Sequence, residues 1–261
     1  MSTMLRFSQV SFAYEQQEIL QDFSLQVKRG EFVSVIGPSG VGKSTLFHLA
    51  NGLLQPHSGE ILLAERQESS LLGKVGYMPQ QDLLLPWRTV LENAALPLEI
   101  KGCKKAEAYQ RVREQLPTFG LEAWEAAYPD QLSGGMRQRV SLLRATLTGS
   151  ELLLLDEPFS ALDGITKLEM QEWLLSLWRQ LGITVLLITH DIEEAILLAD
   201  RVLVLTTAPL SKAVELTVPL QRPREGKLRY DPAFLQIREE IWQILKKAKS
   251  AGAARERGQQ A

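Results

Sequence analysis

Cysteine is nearly absent from this sequence, in which Cys103 is the single one. A lone cysteine excludes a disulfide within the chain and is typical of a reducing compartment. An excess of positive charge is missing too, because 29 Lys and Arg residues stand against 31 Asp and Glu residues. The formal net charge of -2 gives no electrostatic reason to expect a nucleic acid as a partner.

Long apolar runs are also missing. No run approaches the roughly 20 residues that a helix needs to cross a bilayer, and residues 1–6 lack the apolar core of a secretory signal. We therefore expect the chain to stay on the side of the membrane where it is made, so that any role at a membrane comes through a partner. The hydrophobic content of 45% is ordinary for a globular protein with a full core.

A glycine-rich stretch is the strongest motif that the chain does contain. Residues 37–45 fit G-x-x-x-x-G-K-[ST], and they lie between a predicted buried strand, Phe32–Ile36, and a predicted helix. The backbone N–H groups of such a loop and the dipole of the helix attract an anion. We expect Lys43 to reach the terminal phosphates of a nucleotide and Ser44 to ligate Mg²⁺. The predicted nucleotide-binding residues of this loop are Gly37, Pro38, Ser39, Gly40, Val41, Gly42, Lys43, Ser44 and Thr45.

Two acids and a histidine follow predicted strands further along the chain. Residues 152–155 predict a buried parallel strand, and Asp156 and Glu157 come at its carboxyl end, where open α/β sheets bind ligands. We expect Asp156 to hold Mg²⁺, directly or through water, and Glu157 to act as general base on the attacking water. The next predicted strand, residues 184–188, leads to His190, a candidate sensor of the γ-phosphate. A purely structural histidine is the alternative.

A second stretch predicts a helix start that attracts anions. Ser133 is a good N-cap, and Gly134 and Gly135 expose the backbone N–H groups that follow it. Taken alone, this stretch is better explained as a plain helix cap. Tyr14 ends a predicted strand shortly before the glycine loop, where an aromatic ring can stack on adenine, although packing on the face of a sheet is the more common role.

The helical character of residues 83–150 predicts an insertion into an α/β core. Thr89 and Glu92 fit a capping box, a helix from Lys104 is expected to end at Pro117, and a short helix is expected over residues 121–128. We predict one nucleotide-binding domain over residues 1–220, with its helical subdomain at about 83–150. Residues 221–261 are expected to form an extension with an amphipathic helix and a frayed tail.

Together these motifs resemble the ATP-binding subunit of ABC transporters, over residues 14–205 and in the family's order. The resemblance implies an α/β fold: a RecA-like P-loop NTPase core with a parallel sheet, an N-terminal antiparallel β subdomain and an inserted α-helical subdomain. It also implies ATP and Mg²⁺ as cofactors. The matching segments are Walker A at 37–45, the Q-loop glutamine Gln80, the signature at 132–138, Walker B at 152–157, the D-loop at 160–163 with Asp163, and the switch histidine His190.

Other stretches look like the importer branch that serves nitrate, sulfonates, taurine and pyrimidine precursors of thiamine. These are residues 84–93 and 133–139, Glu193-Glu194-Ala195, and Arg222-Pro223-Arg224 followed by Pro232-Ala233-Phe234. The doubled Gln80-Gln81 offers two candidates for the Q-loop residue, and Gln80 is the one we expect to contribute to catalysis and to the metal site. The solute itself is not evident from the sequence.

The resemblance implies a mechanism that needs several partners. Two copies would pair head to tail around two ATP molecules, with the phosphate loop of one copy facing residues 133–135 of the other. Permease subunits in the membrane, and through them an extracytoplasmic solute-binding protein, would complete the transporter, while the chain lies peripherally on the cytoplasmic face. A soluble ABC-type ATPase that acts as a switch outside transport is one alternative. A simple P-loop kinase is another, but it would leave the signature and His190 without a role.

Overall fold

The computed structural model describes residues 2–224 and 226–259, with side chains as far as residue 250. Its strands are β1 (Thr3–Tyr14), β2 (Gln17–Lys28), β3 (Phe32–Ile36), β4 (Ser58–Leu63), β5 (Arg66–Gln67), β6 (Gly76–Met78), β7 (Leu152–Asp156), β8 (Thr184–Ile188), β9 (Arg201–Val204) and β10 (Val214–Thr217). Its α-helices are α1 (Lys43–Ala50), α2 (Val90–Ile100), α3 (Lys105–Phe119), α4 (Gly134–Thr146), α5 (Gly164–Leu181), α6 (Ile192–Leu198) and α7 (Pro232–Gln259). Short 3-10 helices cover Glu122–Trp124, Pro129–Gln131 and Gly226–Tyr230.

The chain divides into two compact units. The first unit comprises Met1–Leu72 and Ile183–Ala261, and the second comprises Gly73–Gly182. Within the first unit, β1, β2, β4 and β5 form an antiparallel sheet in the order β2-β1-β4-β5. In β2 the buried Phe23, Leu25 and Val27 alternate with exposed neighbours, which is the pattern of a sheet with one face on the core.

The other strands of the first unit pair mainly in parallel. β3 pairs in parallel with β8 on one side and with β9 on the other, and β10 pairs antiparallel with β9. Every residue of β3 and β8 is buried, as expected for strands that are covered on both faces. The register of Val35 opposite Ile188 places the carboxyl ends of these two strands side by side. The glycine loop and His190 therefore leave the sheet at the same edge.

The second unit is mostly helical. It contains the parallel pair β6 and β7, and α4 packs on both α2 and β6. Gly76 permits the close approach of α4, because a Cβ at this position would lie 2.7 Å from the carbonyl oxygen of Ala145 in α4 and 2.3 Å from a methyl group of Leu153 in β7. Completely buried residues such as Ala94, Val112 and Phe119 fill the space between the helices.

Two helix boundaries differ from those expected from the sequence. α3 does not end at Pro117 but continues to Phe119, and Gly120 ends it in the left-handed conformation with φ 63°. A proline inside a helix loses one hydrogen bond and crowds the preceding turn, at a cost of about 3 kcal/mol. The helix nevertheless continues past Pro117, and the left-handed Gly120 is its terminator. The helix predicted over residues 121–128 is limited to the single 3-10 turn Glu122–Trp124.

Helix α7 packs on the first unit. Phe234 and Ile241 are completely buried and Ile237 nearly so, and the helix contacts α6 and β9. None of the helices in the described part of the chain is both long and apolar enough to cross a membrane.

Candidate nucleotide-binding site

The glycine loop joins β3 to α1 in the first unit. Gly42 is the N-cap of α1 and has φ 105°, a left-handed conformation that favours glycine. Gly37 lies so close to Leu205 that a Cβ would approach its carbonyl oxygen to 2.7 Å. The Lys43 ammonium donates hydrogen bonds to the carbonyl oxygens of Gly37 and Pro38, both at 2.8 Å. The lysine side chain thus folds back over the loop, where a bound phosphate would meet it.

The surface of this loop is accessible. Ser39, Gly40 and Ser44 are exposed, whereas Val41 and Thr45 are buried and anchor the loop. Among the described residues, no side chain caps the start of α1. The loop therefore combines an open backbone, the positive end of a helix dipole and a cation at one place, which suits a polyphosphate.

His190 and Tyr14 belong to the same unit. Thr189 continues β8 and is buried, His190 is exposed, and Asp191 caps α6 by accepting hydrogen bonds from the amides of Glu193 (2.9 Å) and Glu194 (3.2 Å). His190 is thus held between a buried strand and a capped helix. Tyr14 is 45% exposed at the end of β1, and its ring packs edge-on against Phe12 at 4.9 Å. Adenine stacking requires an accessible aromatic ring, and Tyr14 is partly open to solvent.

The two acids of the second unit are held by one residue within β6, Tyr77, and one just after it, Gln80. Asp156 ends β7, is only 8% exposed and accepts a hydrogen bond from the phenol of Tyr77. Burial, together with the charge of Asp156 and the hydrogen bond to it, raises the pKa of Tyr77 to about 12. The Gln80 amide donates to Glu157 Oε2 at 3.1 Å.

Glu157 also has an uncommon backbone. Its φ of 45° lies in the left-handed region, which residues other than glycine rarely adopt and which costs about 1–3 kcal/mol. The strained turn directs the chain away from β7 immediately after Asp156. Strain of this kind is concentrated at functional sites.

The signature stretch and the turn before α5 lie together in the second unit. Ser133 caps α4 by accepting a hydrogen bond from the Met136 amide at 3.3 Å. Asp163 caps α5 and accepts hydrogen bonds from the hydroxyl (2.6 Å) and amide (3.2 Å) of Thr166, which lower the pKa of this exposed carboxyl. A Cβ added to Gly135 would lie 3.1 Å from a methyl group of the same threonine. Thr166 therefore joins the starts of α4 and α5.

A buried asparagine fixes the loop before α2. Asn93 is completely buried and accepts a hydrogen bond from the Leu85 amide at 2.7 Å. Its side-chain amide donates to the carbonyl oxygens of Leu85 (3.1 Å), Arg88 (2.9 Å) and Thr89 (3.1 Å). Trp87 lies within this loop and is 71% exposed. The loop is therefore held from inside while it presents a large aromatic ring outside.

The predicted site residues fall into two groups, one in each unit. In the first unit the phosphate loop and His190 share one edge of the parallel strands. In the second unit the pairs Gln80–Glu157 and Tyr77–Asp156 are in contact, and Ser133, Gly134 and Gly135 lie near the turn at Asp163. Sequence reasoning missed Tyr77. Its only signal in the sequence is a tyrosine within a short apolar stretch, and the structure adds that this strand pairs in parallel with β7. Sequence reasoning also missed Arg137, which donates to the Leu132 carbonyl at 2.7 Å and to the Asp82 carboxylate at 3.2 Å.

The comparison with protein families defines the class. Residues 20–160 match the family model described as ABC transporter. The chain therefore belongs to the ABC transporter family, in which it is an ATP-binding subunit with the activity of an ATPase. The prediction made from the motifs is confirmed, and the alternative of a switch in non-transport machinery is not favoured.

Individual relatives are similar over most of their length. The chain is 46% identical over 245 residues to the formylaminopyrimidine import ATP-binding protein ThiZ of Halalkalibacterium halodurans, covering 93% of this chain and 96% of the relative. It is 42% identical over 243 residues to the taurine import ATP-binding protein TauB of Yersinia pestis, covering 91% and 95%. Among solved structures, the ATP-binding cassette MJ0796, a dimer in a post-hydrolysis state bound to ADP and Pi, matches with a TM-score of 0.71 and 32% identity, covering 84% of this chain and 100% of that one. The predicted P-loop fold is thereby confirmed.

Proposed function

We propose that this chain powers an importer, in which two copies bind and hydrolyse ATP head to tail and drive the uptake of a small solute through a separate permease. The observation that carries the proposal is that the chain has two phosphate-type helix starts, at α1 and at α4, in different units. In a head-to-tail pair, each nucleotide would lie between the α1 start of one chain and the α4 start of the other. Both helix starts of every chain would then bind phosphate. The related cassette MJ0796 is a dimer in its solved structure, which supports the pairing of two copies.

Each site residue then has a role in hydrolysis. Lys43 and the backbone of residues 37–45 hold the phosphates, and Tyr14 stacks on the adenine. Ser133, Gly134 and Gly135 of the second copy close on the γ-phosphate, and Asp163 lies beside them. Glu157 is the general base that takes a proton from the attacking water. His190 contacts the γ-phosphate and reports its presence.

The residues also fit Mg²⁺. This ion prefers oxygen donors and is commonly held by one or two protein groups together with substrate phosphates and water. Ser44 offers an exposed hydroxyl, Asp156 a carboxylate oriented by Tyr77, and Gln80 an amide oxygen. Mg²⁺ bound by these groups would neutralise charge on the β- and γ-phosphates.

The Gln80 side chain links the metal site to the base. Its amide nitrogen donates to Glu157 in the structure, so this contact fixes the orientation of the carboxylate. Gln80 therefore couples the position of its loop to the base.

The partners follow from the same assignment. We infer a nucleotide-binding domain over residues 1–220, with a helical subdomain at about 83–150, and an extension over residues 221–261. The exposed Trp87 suits contact with a permease, which would hold the chain peripherally at the cytoplasmic face of the membrane and connect it to an extracytoplasmic solute-binding protein. Taurine-like sulfonates and formylaminopyrimidine-like thiamine precursors are the solute classes that the two named relatives support.

The Glu157→Gln variant tests the mechanism. An amide cannot accept the proton, so steady-state hydrolysis should fall by about 10²–10⁴-fold, while ATP binding is retained and a dimer accumulates with MgATP. Phosphate release, ATP titration and light scattering measure the three properties. Glu122→Gln, at an exposed acid of the same unit, is the control that should behave as wild type. Normal turnover in Glu157→Gln would show that the base has been misassigned.

Transport is tested separately with the permease and the solute-binding protein of the same transporter. Reconstituted vesicles should take up solute only with ATP and only with wild-type chain, and taurine and formylaminopyrimidine are the two solutes to compare. If both fail while another solute is taken up, the importer assignment stands and the solute class is wrong. Failure of the chain to associate with any permease would contradict the importer role.

A further inference from the structure

We propose that four arginines of the C-terminal segment position His190 for ATP hydrolysis, and that Glu193 and Arg224 are the main positioning residues. Arg222, Arg224, Arg229 and Arg238 are here called the brace. The inference rests on the role proposed for His190. All of these residues belong to the first unit.

The element on which the brace acts is helix α6. It has seven residues and a length of about 10 Å, and helices this short depend on tertiary contacts. It begins two residues after His190, with Asp191 as its N-cap. His190 lies between this helix and the buried strand β8, so the placement of α6 helps to determine where His190 lies.

The carboxyl end of α6 is held by two arginines. Arg224 is only 4% exposed and donates to the carbonyl oxygens of Ile196 (2.9 Å) and Ala199. Arg222 donates to the carbonyl of Leu198 at 2.6 Å. These carbonyls belong to the last turn, where a helix has no partners of its own for them and where cations are favoured by the dipole.

The same arginines connect α6 to the segment after β10 and, through Asp200, to β3. Arg224 also donates to the carbonyl oxygens of Val218 (3.1 Å) and Leu220 (2.9 Å). Arg222 pairs with the Asp200 carboxylate at 2.8 Å, and the other oxygen of that carboxylate accepts a hydrogen bond from the Phe32 amide of β3 at 3.0 Å. The end of α6 is thereby tied to the strand that carries the phosphate loop.

The amino end of α6 is held by the other two arginines. Glu193, in the first turn, accepts a hydrogen bond from Arg238 of α7 at 3.1 Å and pairs with Arg229 at 3.5 Å. Arg238 and Trp242 of α7 line a cleft of about 630 Å³ together with His190. Both ends of α6 are therefore fixed by one segment of chain, and that segment borders the space around His190.

The brace should affect turnover more than nucleotide binding. A displacement of about 1 Å in a catalytic group can cost about 10²-fold in rate. None of the hydrogen bonds described for the brace is made to the phosphate loop. We therefore expect a lower kcat at nearly constant KM for ATP when the brace is weakened. A role in stability alone would not act through His190.

A double-mutant cycle on the full chain separates the two roles. Each of three substitutions is made in the wild-type and in the His190→Ala background: Glu193→Gln, Arg238→Gln and Arg224→Lys. The kcat and the KM for ATP are then measured for every variant. We expect about a 3- to 10-fold loss of kcat in the wild-type background and less than about a twofold loss when His190 is absent. Arg238→Lys, which keeps the ion pair with Glu193, should restore most of the rate.

Arg201→Lys is the matched control for Arg224→Lys. Arg201 pairs with Glu31 (3.1 Å) and Glu215 (2.9 Å) in the same unit, and none of its described bonds reaches α6. This variant should keep kcat within about twofold of wild type in both backgrounds. Circular dichroism verifies the fold of each variant. If Arg224→Lys does not fold, the partly exposed pair Glu193 and Arg238 decides the question.

The outcomes distinguish this inference from the function on which it rests. Equal losses of kcat in both backgrounds, or no loss in either, overturn the brace while the effect of His190→Ala still supports the role of His190. If His190→Ala itself leaves kcat unchanged, the proposed role of His190 is wrong and the brace is overturned with it. Loss of kcat that disappears in the His190→Ala background supports the proposal.

Discussion

Helices α1 and α4 both begin with a glycine-rich motif, but their first turns are completed differently. Gly42 precedes α1 in a left-handed conformation, and among the described residues no side chain caps that helix. Ser133 precedes α4 in an extended conformation, and its hydroxyl accepts a hydrogen bond from the Met136 amide. One helix start is arranged for an outside anion, and the other is stabilised by the chain itself.

This difference explains why the two starts should act in sequence. The loop before α1 already carries a cation, Lys43, whose ammonium donates hydrogen bonds to two carbonyl oxygens of the loop. At the start of α4 the Ser133 hydroxyl already accepts a hydrogen bond from one backbone amide, and under the proposed head-to-tail pairing the phosphate at this start would come from the second copy. Binding at α1 should therefore precede contact with α4.

The Ser133→Arg variant is the strongest test of this order. A long cationic side chain at the start of α4 would occupy the place of the partner copy's γ-phosphate, so hydrolysis should fall by at least about 100-fold. ATP affinity of the monomer should stay within about twofold of wild type, because Lys43 and its loop are unchanged. Steady-state ATPase and fluorescence titration with an ATP analogue measure the two. Full activity would contradict the composite site.

The Lys43→Ala variant tests the other helix start. Hydrogen bonds to charged groups contribute about 1.5–3 kcal/mol, so ATP affinity should fall by about 10- to 100-fold. The exposed Lys212 of the same unit provides the control Lys212→Ala, which should bind ATP as wild type does. Equal affinities in the two variants would show that Lys43 does not reach the phosphates.

Exchanging the caps tests the comparison directly. Gly42→Ser would force a side chain into φ 105° and place its Cβ 2.9 Å from a methyl group of Ile19, so the free energy of unfolding should fall by about 1–3 kcal/mol. The reverse change, Ser133→Gly, should cost only a few tenths of a kcal/mol, roughly the difference between these N-caps. Denaturant unfolding compares the two. Similar losses would mean that the backbone of Gly42 is not special.

The smallest expected effect concerns pH and the cap of α5. Hydrogen bonds from Thr166 lower the pKa of Asp163 below its unfolded value, so its stabilising effect is present above that value and disappears as pH falls through the folded pKa. Asn caps a helix nearly as well. Asp163→Asn should therefore lower Tm by no more than about 3 °C at pH 7, with the difference vanishing near pH 2. A difference that grows in acid would contradict the assigned direction.

Local motifs explain what the sequence predicts well. The turn around Gly42, the cap at Ser133, and the strands before the phosphate loop and before Asp156 each depend on a few consecutive residues. Their chemistry is visible in a single stretch. The roles assigned to the site residues remain predictions, since they depend on a nucleotide and a second chain.

Contacts between distant stretches explain what the sequence does not predict. Tyr77 becomes a partner of Asp156 only because β6 and β7 pair in parallel. Arg224 reaches the carbonyl of Ile196, 28 residues earlier, and an arginine among prolines gives no sign of burial. Pro117 predicts the end of α3, but Phe119 two residues later is completely buried, and this packing offsets the cost of a proline inside the helix.

The hydrogen bonds of Asn93 have a consequence for molecular recognition. They leave the backbone around Trp87 little freedom to lose, so a protein that docks on this indole would need to immobilise only one side chain. The entropic penalty of association is then smaller than for a loop that must first become ordered. The indole is preorganised for binding, and the shape complementarity of a pocket on the partner would set the dissociation rate of the complex.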